Sequence, residues 1–257
     1  MVKFDQSLLD KLLPSLEVIY EDNHLIAVNK KSGQLVQSDA TRDVTLPDLL
    51  KHYLKNKYQK PGDVFCGVIH RLDRPVSGVV LFARTSKALE RMSAQFKART
   101  IKKTYWAIVK QAPIINEARL ENYLIKDTAK NKSRVTYQVA GATLATLDYK
   151  LIAQSDRYFL LQVNPITGRH HQIRVQLSSK GYPIKGDLKY GFDRSNDDGS
   201  ISLHARKLEF MHPVKQHPVC IEASVPVEAL WQYFEKELLN NSKEPIKIFK
   251  SNDEIIR

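Results

Sequence analysis

Residues 67–85 read GVIHRLDRPVSGVVLFART, and the rest of the chain is organised around them. An acid, Asp73, sits between Arg71 and Arg74. A proline follows, then the small pair Ser77-Gly78, then the apolar run Val79-Val80-Leu81-Phe82-Ala83. That run is short, β-branched and aromatic, which predicts a buried strand. The charges therefore lie on a loop that feeds the rim of a sheet, and Gly78 permits a tight turn or a close backbone approach there. A guanidinium beside a carboxylate favours its charged form. Asp73 thus has two readings, a nucleophile or base on a rigid rim and a structural ion pair at a strand entrance.

The chain has 257 residues, enough for one large domain or two small ones with a sizeable core. Its 42% hydrophobic and 9% aromatic content is ordinary for a globular protein. No apolar run is long enough for a membrane span, and the N-terminus lacks the continuous apolar core of a signal peptide. A cytoplasmic location is expected. Cys66 and Cys220 match no metal spacing and form no disulfide framework; they read as free thiols. Forty Lys and Arg against 28 Asp and Glu give a formal charge of +12, which points to an anionic polymer or surface as partner.

Coarse patterning fills in the order of elements. Residues 4–14 suit a short helix or arm, and 17–30 two strands turning at Glu21-Asp22-Asn23. Leu46, Leu49, Leu50 and Tyr53 share a helical face within 45–58, as do Leu89, Met92 and Phe96 within 85–99. Strands are expected at 102–110, 133–139, 146–154, 157–164, 201–210 and 219–225. Residues 170–180 read as a helix stopped by Gly181, and 227–239 as a closing helix with Leu230, Trp231, Phe234 and Leu238 inward. Strand runs broken by single helices, with mostly hairpin links, argue α+β with a largely antiparallel sheet. One domain over 17–240 is expected, between an N-terminal arm (1–16) and a polar tail (241–257).

Three further stretches carry chemistry. In Lys102-Lys103-Thr104-Tyr105 a tyrosine beside two lysines suits stacking on a base or proton exchange, or simply packs in the sheet. Thr167-Gly168-Arg169-His170-His171-Gln172-Ile173-Arg174 runs into a helix, where backbone amides bind anions and Arg169 and Arg174 supply forked donors. The doubled histidine does not make a metal site, because adjacent helical residues diverge and no third ligand recurs at spacing. Residues 181–191, GYPIKGDLKYG, read as a glycine-punctuated surface loop.

In combination these stretches are specific. GVIHRLDRPVSGVVLFART resembles the catalytic motif of the RNA pseudouridine synthases of the large-ribosomal-subunit (RluA) type. KKTYWAIV resembles that family's tyrosine motif, ITGRHHQIRVQLSSKGYPIKGDLKYG its third motif, SLHARKLEFMHP its closing strand and VIYEDNHLIAVNKKSGQLVQ its first motif. The match runs in the family's order over roughly residues 17–225. It implies a pseudouridine synthase fold, with a curved, mainly antiparallel sheet, flanking helices and a central active-site cleft. Asp73 then matches the catalytic aspartate, Tyr105 the tyrosine lying against the target base, Arg174 the basic partner of the aspartate and Leu203 the apolar wall of the uracil pocket. Arg71 matches a residue that fills the gap left in the RNA stack. His70, Arg169 and Gln172 are further substrate-binding candidates. Lys31 stands where the family carries proline, Pro75-Val76 breaks the catalytic pattern, and His170 and Gln176 replace a threonine and a histidine. No S4-type RNA-binding domain is expected.

The implied reaction isomerises a uridine in rRNA or tRNA and needs no cofactor and no metal. RNA is the expected partner, with no membrane and no obligate protein partner, and a monomer is expected. Three rivals remain. One is a catalytically silent RNA-binding or ribosome-assembly protein on the same fold. Another is a glycosidic hydrolase, which needs a carboxylate pair, whereas Asp63, Glu90 and Asp187 show no pairing in the sequence. The third is a DNA-binding regulator, for which no helix-turn-helix or zinc pattern exists.

Overall fold

The computed structural model describes residues 4–39 and 41–241. The chain runs α1 (Gln6–Leu12), a 3-10 turn (Leu13–Ser15), β1 (Val18–Glu21), β2 (Leu25–Lys30), α2 (Leu46–Lys57), β3 (Gly67–Val68), β4 (Ser77–Ala83), α3 (Ser86–Ala98), β5 (Lys102–Val109), β6 (Glu117–Asp127), β7 (Lys132–Thr136), β8 (Thr143–Gln154), β9 (Phe159–Pro165), α4 (Gln172–Ser179), a second 3-10 turn (Leu188–Tyr190), β10 (Leu203–Met211), β11 (Pro218–Glu222) and α5 (Ala229–Asn241). The polar tail expected from residue 241 falls almost wholly outside the described residues. Among the described residues, no helix is long and apolar enough to cross a membrane.

The strands form one 11-stranded sheet in the order β1-β2-β4-β10-β5-β9-β8-β6-β7, with β3 added to β4 and β11 to β10. Every pairing of these strands is antiparallel except β4 with β10 at the centre. The architecture is the expected α+β one. All seven residues of β4 are buried, as the apolar run predicts. Gly78 is needed where β4 meets β10: its φ is +113°, and a Cβ there would overlap the Ala205 backbone. β5 divides its faces as strand alternation requires. Tyr105 and Ala107 join one core cluster, while Trp106 and Ile108 join another beneath α5, together with Trp231 and Phe234.

Local sequence accounts for the starts of α2 and α3. Asp48 accepts from the Thr45 N–H at 3.1 Å at the start of α2, and Thr85 Oγ1 accepts from the Ala88 N–H at 3.1 Å at the start of α3. Two differences from the sequence reading bear on the site. β6, 11 residues long, lies in a region with no assigned strand. Its covered face carries Leu120, Asn122 and Leu124; Asn122 Oδ1 accepts from Gln176 Nε2 of α4 at 2.9 Å, and this polar position interrupts the apolar alternation. α4 also begins at Gln172 instead of residue 170, because His171 adopts a left-handed conformation with φ 52°.

Candidate active site

Four segments meet on the α4 face of the sheet. The Asp73 loop enters β4, Tyr105 comes from β5, Leu203 opens β10, and the 165–174 stretch leads from β9 into α4. Together they line a cleft of about 140 Å³. Asp73, Tyr105, Arg174, Arg71, Arg169, Gln172 and Leu203 all border it.

The Asp73 loop is held by its own carbonyls. Lys30, only 1% exposed, donates from Nζ to the carbonyls of Lys31 at 3.1 Å, Arg74 at 3.0 Å and Val76 at 2.6 Å. Burial pushes the Lys30 pKa down to about 7, with the Asp73 charge acting in the opposite sense. Three acceptors nevertheless match the three donors of the protonated form. The Gly33 N–H donates to the Arg74 carbonyl at 2.9 Å and the Ile201 N–H to the Pro75 carbonyl at 3.1 Å. Val76 sits in the core, so the Pro75-Val76 departure anchors the loop.

Arg174 projects from α4, where residues 172–177 are all buried. Its Nη1 donates to Asp73 Oδ2 at 3.0 Å. Nε and Nη2 form a fork on Asp187, at 2.7 Å to Oδ2 and 2.8 Å to Oδ1. Its guanidinium carbon lies 5.0 Å from the centre of the Tyr190 ring. Burial alone would lower the Arg174 pKa, but Asp187 first and Asp73 second outweigh it and hold it above its ordinary value. Asp187 corrects the sequence reading: it is 1% exposed, not on a surface loop.

His171 is the second residue missed. Its Nδ1 lies 2.9 Å from the Tyr190 hydroxyl, which accepts from the Ser133 N–H at 2.8 Å. The Tyr190 proton therefore points to Nδ1, which places the His171 proton on Nε2, 3.4 Å from Asp73 Oδ2. Burial lowers the His171 pKa, so the ring is neutral near pH 7. Its left-handed backbone stacks it on His170 at 3.8 Å, contrary to the divergence expected of helical neighbours. His170 is tied to Ser133 Oγ at 2.9 Å and to Asn131 Oδ1 at 3.0 Å. Asp73 Oδ1 has no hydrogen-bond partner among the described residues.

The other candidates divide. Tyr105 is half-buried; burial first and the Asp73 charge second raise its pKa, so the phenol keeps its proton. Leu203 is 3% exposed and packs in the same core cluster. Gln172 borders the cleft, but its Oε1 accepts from Thr167 Oγ1 at 2.7 Å and from the Arg169 N–H at 2.9 Å, and its Nε2 donates to the Thr146 carbonyl at 3.0 Å. Its amide shapes the loop. Arg169 donates from Nε to the Leu144 carbonyl at 3.0 Å, and Arg71 donates to Gln37. His70 is placed elsewhere. Its Nε2 accepts from the Leu81 N–H at 3.0 Å, its ring stacks on Phe96 at 4.9 Å, and burial pushes its pKa down to about 3. Arg74 faces outward to Asp43 at 3.1 Å and Asp39 at 3.7 Å.

The chain is similar to known proteins along most of its length. The profile of the RNA pseudouridylate synthase family matches residues 24–179. The tRNA pseudouridine synthase C of Pectobacterium carotovorum subsp. carotovorum is 32% identical over 238 residues, covering 84% of this chain and 60% of that protein. That of Vibrio cholerae is 32% identical over 236 residues, covering 84% of this chain and 93% of the relative. The ribosomal large subunit pseudouridine synthase C of Vibrio vulnificus is 32% identical over 213 residues, covering 80% and 64%. In fold, the chain superposes on human RNA pseudouridylate synthase domain containing 4 with a TM-score of 0.72 at 22% identity, over 91% of this chain and 96% of that one. With such identity across 84% of its length, the chain belongs to the RNA pseudouridylate synthase family.

Proposed function

We propose that this chain isomerises uridine in RNA to pseudouridine, with Asp73 as the catalytic carboxylate. The observation that carries the reading is the state of Asp73. One carboxylate oxygen is bound from inside the protein by Arg174, and the other has no partner among the described residues, in a cleft shared with Tyr105 and Leu203.

The reaction breaks the N1–C1′ bond of a uridine and forms a C5–C1′ bond. The C5 proton leaves and a proton is gained at N1, so nothing is added or lost overall. The uridine must first leave the RNA stack, which costs a few kcal/mol and least in loops. Phosphate contacts from a chain of charge +12 offset that cost. Asp73 Oδ1 is the atom available to act on C1′, on the uracil ring or on the ribose. Leu203 supplies an apolar wall for the base. Tyr105, protonated at neutral pH, stacks on the ring and shuttles a proton, passing its phenolic proton on toward N1 as it takes the one from C5. Arg174 holds Asp73 in one orientation throughout. Transfer RNA and ribosomal RNA, after which the relatives are named, are the substrates to test.

Purified protein incubated with cellular RNA yields pseudouridine at defined sites, and Asp73→Asn yields none while still binding RNA. Residual product from Asp73→Asn sinks the assignment. Release of free uracil by the wild type identifies a hydrolase instead.

A further inference from the structure

Lys103 lies two residues before Tyr105 on β5, so both side chains leave the same face of the strand, and both line the cleft. Around it, the other cations of the site have acceptors. Arg174 has two carboxylates, Arg71 has the Gln37 side chain and Arg169 has the Leu144 carbonyl. The Lys103 ammonium has neither an ion pair nor a hydrogen bond among the described residues, and the strand carbonyl of Lys103 accepts from Asn164 Nδ2 at 3.2 Å. Lys103 is partly buried, and the charge that acts on it is another cation, Arg99, at the left-handed residue that ends α3. Burial first and Arg99 second push the Lys103 pKa down to about 8. Its ammonium hangs over Gly168, with Nζ 3.9 Å from the position a Cβ would take there. The floor below it is thus bare backbone, and the Gly168 N–H donates to no group among the described residues.

A partly desolvated ammonium without a counter-charge is costly. The cost is offset when an anion arrives beside it. A uridine in RNA carries one kind of anion, the phosphodiester. We propose that Lys103 seats the phosphodiester next to the extruded uridine and so sets the depth at which the base meets Asp73. The inference rests on the RNA reading above. A lysine suits this place because an ammonium binds phosphate as a point charge and tolerates the sugar-backbone rotation that extrusion requires. A bland reading, in which Lys103 merely fills the cleft, gives no reason for a charge there.

The test measures binding of single-stranded oligouridylate across a KCl series by wild type, Lys103→Met and Lys103→Arg. Losing one phosphate contact on a single strand makes the slope of log K against log salt shallower by about 0.7 and weakens low-salt binding by about tenfold. Lys103→Met is expected to show both changes with an unchanged melting temperature, and Lys103→Arg to restore the slope. On oligouridylate with an uncharged methylphosphonate backbone, wild type and Lys103→Met are expected to bind alike. An unchanged slope, absence of salt-dependent binding by the wild type, or an equal loss by Lys103→Met on the uncharged backbone each overturn the proposal; the last assigns Lys103 to the uracil. Pseudouridine formation by the wild type on cellular RNA is scored separately. Its absence refutes the functional reading, whereas its presence with an unchanged slope refutes only the phosphate seat.

Discussion

Asp187→Asn separates the two carboxylates that share Arg174. Asp187 has 1% of its side chain exposed and Arg174 has 6%, whereas Asp73 has 34%. Removing one partner of a buried ion pair costs about 3–5 kcal/mol. Asparagine keeps one acceptor oxygen but turns an N–H₂ toward the other donor of the guanidinium fork. Asp73 still faces Arg174 in the variant, so the lower end of that range applies, about 3 kcal/mol. For a chain of this size each kcal/mol moves the melting temperature by about 2–4 °C, which gives a fall of about 6–12 °C. Asp73→Asn breaks a pair that water reaches, and about 1 kcal/mol is expected there. The assay is thermal unfolding of the three proteins followed by far-UV circular dichroism, with single-turnover product formation alongside. The variants should rank in opposite orders: Asp187→Asn loses more stability, Asp73→Asn loses all product. Equal melting temperatures for wild type and Asp187→Asn, or a larger fall for Asp73→Asn, refute the assignment of Asp187 as the structural acid.

Two further outcomes are expected. Gly78→Ala places a methyl group inside the Ala205 backbone at a φ of +113°, and overpacking plus backbone strain should cost more than about 3 kcal/mol, read as loss of soluble, folded protein on expression. Folding stability should also fall as pH drops from about 6.5 toward 4. Burial holds His204 down to about 4 and His70 down to about 3 from an ordinary 6.5, so below 6.5 the unfolded chain binds protons the folded one does not. Each histidine contributes about 1.4 kcal/mol per pH unit in that window. Urea titrations at pH 7 and pH 5 check this, and equal midpoints exclude it.

Much of this was legible because the signals were local. The β4 run declares itself by composition, and α3 by a Leu-Met-Phe face. The convergence of Asp73, Tyr105 and Arg174 was legible only through the resemblance, since Asp73 precedes β4 and Tyr105 lies on β5, with β10 between the two strands. What stayed hidden depends on partners distant in sequence. β6 is disguised because Asn122, on its covered face, is satisfied only by Gln176 from 54 residues away. His70 sits beside the motif's charges, yet the Leu81 N–H claims its ring. His171 looks helical until its stacking on His170 and its bond to Tyr190 fix a left-handed backbone.

Asp187 explains a feature of the site that the Asp73–Arg174 pair alone does not. A guanidinium with a free fork engages both oxygens of a carboxylate. Had Arg174 done so with Asp73, both oxygens would be held by the protein. Asp187 occupies Nε and Nη2, which leaves Nη1 for Asp73, and Nη1 reaches only Oδ2. His171 Nε2 approaches that same oxygen, so both protein contacts fall on one side of the carboxylate. The buried acid thus sets which oxygen of the exposed acid is free. It follows that Arg174→Lys, which keeps the charge and loses the fork, cannot satisfy Asp187 and Asp73 together. It belongs with the inactive variants even though the site's net charge is unchanged.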